Sequence, residues 1–323
     1  MCQNIRHFFG KRYNAVILLS YEFFLLIKHL GSSNREKSQE KFKASLIIDC
    51  HVIEKGLSFR NVKTGFGKTK ILDLLKNLEK YYTKYGDKLM LAFILKPVEQ
   101  YIKFHKDISQ VDNEIIRMFN DLNNILDGEF NKINGGIIHV TKTQIKHAAM
   151  IDFENFTAMR FSIRDFSNEP IDRNLIFKAL KIAEKTPSAC NRQPWGVHVF
   201  FDKSKLMEIL EFQSGARQFK DSITCALLVT SNYYSFFGGE YHQPFVNGGL
   251  YAMTLIYALH SLGLGTIPLN MGFSYSKLNK IYKICNLRPG EIPVILIGVG
   301  HLPIELNVAL SERFDYTSYT KIY

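Results

Sequence analysis

Five cysteines among 323 residues, none in a C-x-x-C pair, argue against a disulfide framework and against a zinc ribbon. A reducing cytoplasm is the natural compartment for such a chain. The histidines show neither H-x-x-x-H nor H-E-x-x-H spacing, so no metal site is expected. No serine sits in a nucleophile elbow. Gly65-Phe66-Gly67-Lys68-Thr69 lacks the full phosphate-loop spacing, and its Lys-Thr pair reads as a helix start. Internal repeats and low-complexity tracts are absent. So is an uninterrupted apolar run long enough to cross a bilayer comfortably. Residues 13–30 come nearest, but Glu22 breaks the run and Lys11, Arg12 and Lys28 flank it. No small-residue cleavage site follows, so a signal peptide is not expected. Three readings of this segment stay open: a helix packed on the protein, a helix lying on an anionic membrane surface, and a true span.

The charge that is present is uneven. Residues 1–150 carry 24 Lys/Arg against 15 Asp/Glu, a balance of +9, and residues 151–323 carry 17 against 15, a balance of +2. The basic half suits either a lysine-rich solvated helical surface or an anionic partner. It shows no helix-turn-helix or zinc pattern, and nucleic acid is not expected as a partner. Helical periodicity predicts helices over residues 42–53, 71–85 (ended by Gly86), 89–105 and 111–126, after a polar stretch at 31–39. Strand signals are nearly absent before Ile137. Beyond residue 150 the pattern alternates. Helices are predicted from an Asp172 cap to about Lys185 and over 204–212, 245–262 and 276–285, with strands over 197–201, 224–230 and 292–299. The 245–262 segment is apolar all round, as a helix buried in a core or a subunit interface would be. The chain thus divides into a helical region, 1–150, and an α+β region, 151–323, built around one sheet.

Three segments of the second region could carry chemistry. Arg160, Phe161, Ser162, Ile163 and Arg164 place two guanidinium groups and a hydroxyl at alternate positions, so in an extended chain all three reach one phosphate. Pro187, Ser188, Ala189, Cys190, Asn191, Arg192, Gln193, Pro194 and Trp195 form a small, polar, proline-bounded stretch whose amides can pair with a heterocycle edge. Cys190 is read there as a packing residue and Trp195 as a core anchor. Residues 265–272, with Pro268, Leu269 and Asn270, follow the apolar helix and read equally as a ring-contacting loop or a turn between two glycines. Arg313, near the end, could add a cation.

In their order from residue 156 to 319 these pieces resemble the FMN-dependent nitroreductase family. The resemblance implies a mixed sheet flanked by helices, an intertwined homodimer, and FMN at the dimer interface. It places Arg160, Phe161, Ser162 and Arg164 at the phosphate and ribityl chain, with Gln218 as a further ribityl contact and Arg313 as the C-terminal phosphate cation. Pro187, Ser188, Ala189 and Asn191 fall on the loop that the partner subunit lays over the flavin. Pro268, Leu269 and Asn270 fall beside the ring. Asn270 stands where many members carry an acid, Met271 looks inserted before Gly272, and the tail after Arg313 lacks a second basic residue. In the first region, His51, Val52, Ile53, Glu54, Lys55, Gly56 and Leu57 resemble an element of extended nitroreductase-like proteins from bacterial surface-polysaccharide gene sets. His51, Glu54 and Lys55 share one helical face, where they either line a substrate mouth or form a local ion pair.

The function so implied is reduction of a small organic acceptor by NADH or NADPH through FMN, in a ping-pong cycle. The flavin carries the chemistry, so no side chain is assigned as acid or base. Two alternatives remain open: a flavin enzyme that modifies a surface-polysaccharide intermediate, and a membrane-surface protein without turnover, contacting lipid through residues 1–30.

Overall fold

The computed structural model describes residues 2–30, 36, 38–108, 112–126 and 133–323, excluding the side chains of 2–12 and 14. The expected polar stretch at 31–39 therefore lies largely outside the described residues. The first helix, α1 (Cys2–His29), packs by one face only. Its Tyr21 ring lies 4.9 Å from Tyr275 and its His29 ring 4.8 Å from Tyr234. On the other face Val16, Leu19, Phe23 and Ile27 are each at least 60% exposed. No helix among the described residues is long and apolar enough to cross a membrane, which corrects the spanning reading of residues 13–30. Glu22 is the reason, together with the polar residues that open the helix.

Four helices then form a core of their own: α2 (Gln39–Leu57), α3 (Lys68–Tyr85), α4 (Lys88–Asp107) and α5 (Asn113–Asn123), closed by a short 3-10 turn at Asn124–Leu126. Ser38, Asp87 and Asp112 cap three of them by accepting hydrogen bonds from first-turn N–H groups. Their apolar stripes meet in one cluster centred on Phe42, Leu46, Leu74, Leu78, Tyr81, Leu91 and Ile94. His105, fully buried, accepts from the Gly65 N–H at 2.9 Å and pairs with the Tyr101 carbonyl at 2.9 Å. The Gly65–Gly67 turn is thereby held as a structural corner, and the helix starts at Lys68 as the sequence indicated.

Two short helices, α6 (Lys142–Ala148) and α7 (Phe153–Ala158), lead into the second half. There α8 (Arg173–Ala183), β1 (Trp195–Phe200), α9 (Lys203–Leu210), β2 (Cys225–Asn232), α10 (Gln243–Ser261), β3 (Leu264–Asn270), α11 (Tyr275–Ile284) and β4 (Glu291–His301) build an α+β fold. The strand order is β1-β2-β4-β3, every neighbouring pair antiparallel. Among the described residues the parallel component of the sheet is one bridge, Ser162 to Thr266. Side chains alternate across a strand, and β2 shows it: Cys225, Leu227 and Val229 pack under α8 and α10, while Ala226 and Leu228 pack with α9 and α11.

Strand β3 corrects the turn reading of residues 265–272. Pro268 argues against a strand only where its missing N–H would face a neighbour, and β3 is an edge strand. The Thr266 carbonyl already points outward, accepting from Ile163, so Pro268 two residues on also faces the open edge.

One polar cluster ties three strands together. Glu291, 3% exposed, accepts from Thr230 Oγ1 at 2.6 Å, pairs with His198 Nε2 at 2.8 Å, and accepts from the Arg288 backbone N–H at 3.1 Å. Burial alone would raise this carboxyl, but those bonds outweigh it and hold the group at about 2, against an ordinary 4.5. A depressed folded-state value gives stability that is fully present above about 4.5 and is lost as pH falls towards 2, here on the order of 3 kcal/mol. Glu291→Gln is therefore expected to lower the melting temperature by a roughly constant amount above pH 5. That difference should shrink steadily on acidification in thermal melts; if it persists unchanged to pH 2, the carboxylate's charge is not the cause.

Candidate functional site

The segment after α7 lies along the edge of the sheet. Ile163 N–H donates to Thr266 O at 2.9 Å and Ser167 N–H to His301 O at 2.9 Å. Two glycines permit this approach. A Cβ on Gly300 would stand 2.6 Å from the Phe166 ring and 2.8 Å from its Cβ, and one on Gly265 would stand 3.1 Å from Ile163 Cγ1. Ile163 and Phe166 are buried by the contact, and Arg164 is left exposed at the end of β3.

Arg164 opens into a cavity of about 500 Å³. Its walls come from three places: Phe212, Gln213, Ser214 and Gly215 after α9; Ile267, Pro268, Leu269 and Asn270 of β3; and Gly272, Phe273, Ser274 and Lys277 at the start of α11. Gln213, buried, donates from Nε2 to the Asn270 carbonyl at 3.1 Å and braces the strand end. The Asn270 side chain accepts from Gly272 N–H at 3.1 Å, so it closes its own turn and absorbs the extra Met271. Arg164 and Lys277 are the two cations in the lining, and no carboxylate is among the described lining residues. Such a site favours an anionic tail beside a flat apolar wall.

Of the expected contacts, the structure brings Arg164, Pro268, Leu269 and Asn270 together here. Arg160, Phe161 and Ser162 lie on the same edge segment but outside the cavity lining, and Gln218 and Arg313 are exposed elsewhere. Phe212, Gln213 and Lys277 carried no sequence signal, because they reach the cavity only through the order of the strands. In the first region, His51 Nδ1 lies 3.3 Å from Glu54 Oε2, and Glu54 Oε1 accepts from Gly136 N–H at 3.2 Å. That face closes on itself through the His51–Glu54 contact and ties down a loop.

Residues 187–193 lie away from this cavity, against α2 and the start of α10. Cys190, Asn191 and Gln193 all adopt left-handed backbone conformations, with φ of 49°, 55° and 49°. Three non-glycine residues held so close together mark a constrained loop. Arg192, buried, supplies the constraint. It donates to the carbonyls of Ala189 at 2.8 Å and Ser235 at 2.9 Å, and to both Glu240 oxygens at 2.7 and 2.8 Å. The hydrogen bonds from Arg192 hold the Glu240 carboxyl below its ordinary range. Asn247, also buried, accepts from Ala189 N–H at 2.9 Å. Cys190 is exposed rather than a packing residue, because the left-handed turn directs it outward.

Comparison with known proteins gives a consistent set. A family model described as the Nitroreductase family matches residues 157–236. A 4-nitrobenzoate reductase of Pseudomonas putida is 41% identical over 54 residues, 17% of this chain and 24% of that protein. A Methanothermobacter thermautotrophicus protein named for NADH dehydrogenase and NAD(P)H nitroreductase activity is 25% identical over 156 residues, 48% of this chain and 79% of that one. Among solved structures, a nitroreductase with bound FMN from Desulfitobacterium hafniense aligns with 21% identity and a TM-score of 0.44, over 54% of this chain and all of that chain. The match to the Pseudomonas reductase thus spans about a quarter of its length.

Proposed function

We propose, from the match of residues 157–236 to the Nitroreductase family model, that the second half of the chain binds FMN and uses NADH or NADPH to reduce a small organic acceptor. The observation that carries this reading is the cavity at the end of β3, with two cations, an apolar wall and no carboxylate in its described lining. Arg164 and Lys277 would hold the phosphate, with Arg160 and Ser162 on the adjoining segment. Pro268 and Leu269 would flank the ring. Asn270, in register with Thr266 on the open edge of β3, would present its backbone N–H to the ring. FMN supplies the hydride chemistry when bound, and the protein supplies position and positive potential. Nicotinamide and acceptor would take turns at one face.

A second copy of the chain completes the site in this reading. Residues 187–191 cannot cover the cavity of their own chain, and the resemblance assigns that loop to the partner. Surfaces that a partner would bury are available. On α10, Val246 and Leu250 are nearly half exposed, and in the tail Phe314 and Ile322 are almost fully exposed.

The test is direct. The purified protein is expected to be yellow, to release FMN on denaturation, to sediment as a dimer, and to bleach on adding NADH or NADPH without oxygen. A colourless protein that takes up no added FMN removes the reading.

A further inference from the structure

A second cleft lies between the helical half and the strained loop. It comprises two adjoining cavities of about 310 Å³ each, which share Lys43, Ile47, Arg192, Gln193 and Trp195. One is mainly apolar, walled by Ile47 of α2, Leu89 and Phe93 of α4, and Trp195 at the start of β1. Leu89 is 57% exposed at its rim. The cations there are Lys43 and Arg192, and no carboxylate is among the described residues of that lining. Arg192 is spent on Glu240, whereas Lys43 makes no ion pair among the described residues. The neighbouring cavity is polar, with Glu40, Asp87, Asn232 and Arg288, and it leads outward.

We propose that this cleft is the acceptor site, taking a molecule with a flat apolar body and one anionic group, the body against Phe93 and Trp195 and the anion at Lys43. This rests on the flavin reading above, in which the 187–193 loop covers the ring held by the partner subunit. The loop would then present this cleft to the reacting face, and the helical half would serve as the wall that selects the acceptor. The volume stands at the small end of ligand sites, fitting one or two rings rather than a nucleotide. The apolar wall gives affinity without orientation, and Lys43 fixes which end points outward.

Trp195 is the sole tryptophan and lines both cavities, so its fluorescence reports binding without any need for turnover. The probes are 3-nitrobenzoate and nitrobenzene, the same ring with and without a carboxylate. In the full chain, 3-nitrobenzoate is expected to quench saturably and more tightly than nitrobenzene. Lys43→Ala should weaken the first about fivefold and leave the second unchanged. Phe93→Ala should weaken both. The KM values should follow the same pattern, with kcat and flavin content constant. Quenching that does not saturate, or that Lys43→Ala leaves alike for both probes, overturns the proposal. Flavin content is read separately in the visible spectrum. Colourless protein that still shows Lys43-dependent quenching would overturn the flavin reading and, with it, the assignment of the cleft as an acceptor site.

Discussion

Protein in which Arg160 and Arg164 are both alanine is expected to purify without flavin colour. Arg164 faces a lining that contains no described carboxylate, so its charge is available to a ligand rather than spent within the fold. Among the described residues its one hydrogen bond is long, 3.3 Å, to the Ser162 carbonyl. Arg160 sits four residues earlier on the same edge segment. Each charge-assisted contact to a phosphate contributes roughly 1.5–3 kcal/mol. Losing both therefore costs about 3–6 kcal/mol, a fall in FMN affinity of about 10²–10⁴-fold. Neither side chain belongs to the core clusters, so the melting temperature of the flavin-free protein should change little. Titration of the variant with FMN, followed by absorbance, decides the matter. Full occupancy at micromolar FMN would place the phosphate elsewhere.

What the sequence made visible depended on how local each signal was. The helix over 71–85 and its stop at Gly86 are local: an amphipathic stripe followed by a residue that takes φ of 64° without cost. The Asp172 cap of α8 is local too, accepting from Asn174 N–H at 2.9 Å. The β2 strand could be read from an unbroken apolar run, because both of its faces are covered. By contrast, β3 could not be read from Gly265 and Pro268, since only its place at the sheet edge makes a proline acceptable there. The cavity was half legible. Arg164 and Asn270 stood in recognisable segments, but Gln213 and Lys277 arrive through the packing of α9 and α11 on one sheet face. The strain in the 187–193 loop was invisible for the same reason. It depends on Arg192 meeting Glu240, 48 residues later in the chain.

That pairing sets up the other large effect. Glu240→Ala is expected to lower the melting temperature sharply and to weaken flavin binding together with it. The Arg192 side chain is 1% exposed, and Glu240 supplies the one carboxylate in its set of hydrogen bonds. Removing Glu240 leaves a buried guanidinium without a counter-charge, a loss of about 3–5 kcal/mol. For a chain of 323 residues that corresponds to a drop of roughly 4–7 °C. It also frees the Phe237 N–H, which donates to Glu240 at 2.9 Å. The left-handed residues Cys190, Asn191 and Gln193 persist only while their surroundings force them, at a cost on the order of 1–3 kcal/mol each. Once Arg192 is no longer fixed, that strain drives the loop to relax. If residues 187–191 cover the partner's flavin, FMN affinity must then fall even at temperatures where the variant is folded. Glu240→Gln retains one acceptor and the shape of the side chain, so it should fall between wild type and alanine on both measures. Thermal melts and FMN titrations of the two variants separate the cases. Lowered stability with unchanged FMN affinity would mean that the loop braces the fold and has no part in holding the cofactor.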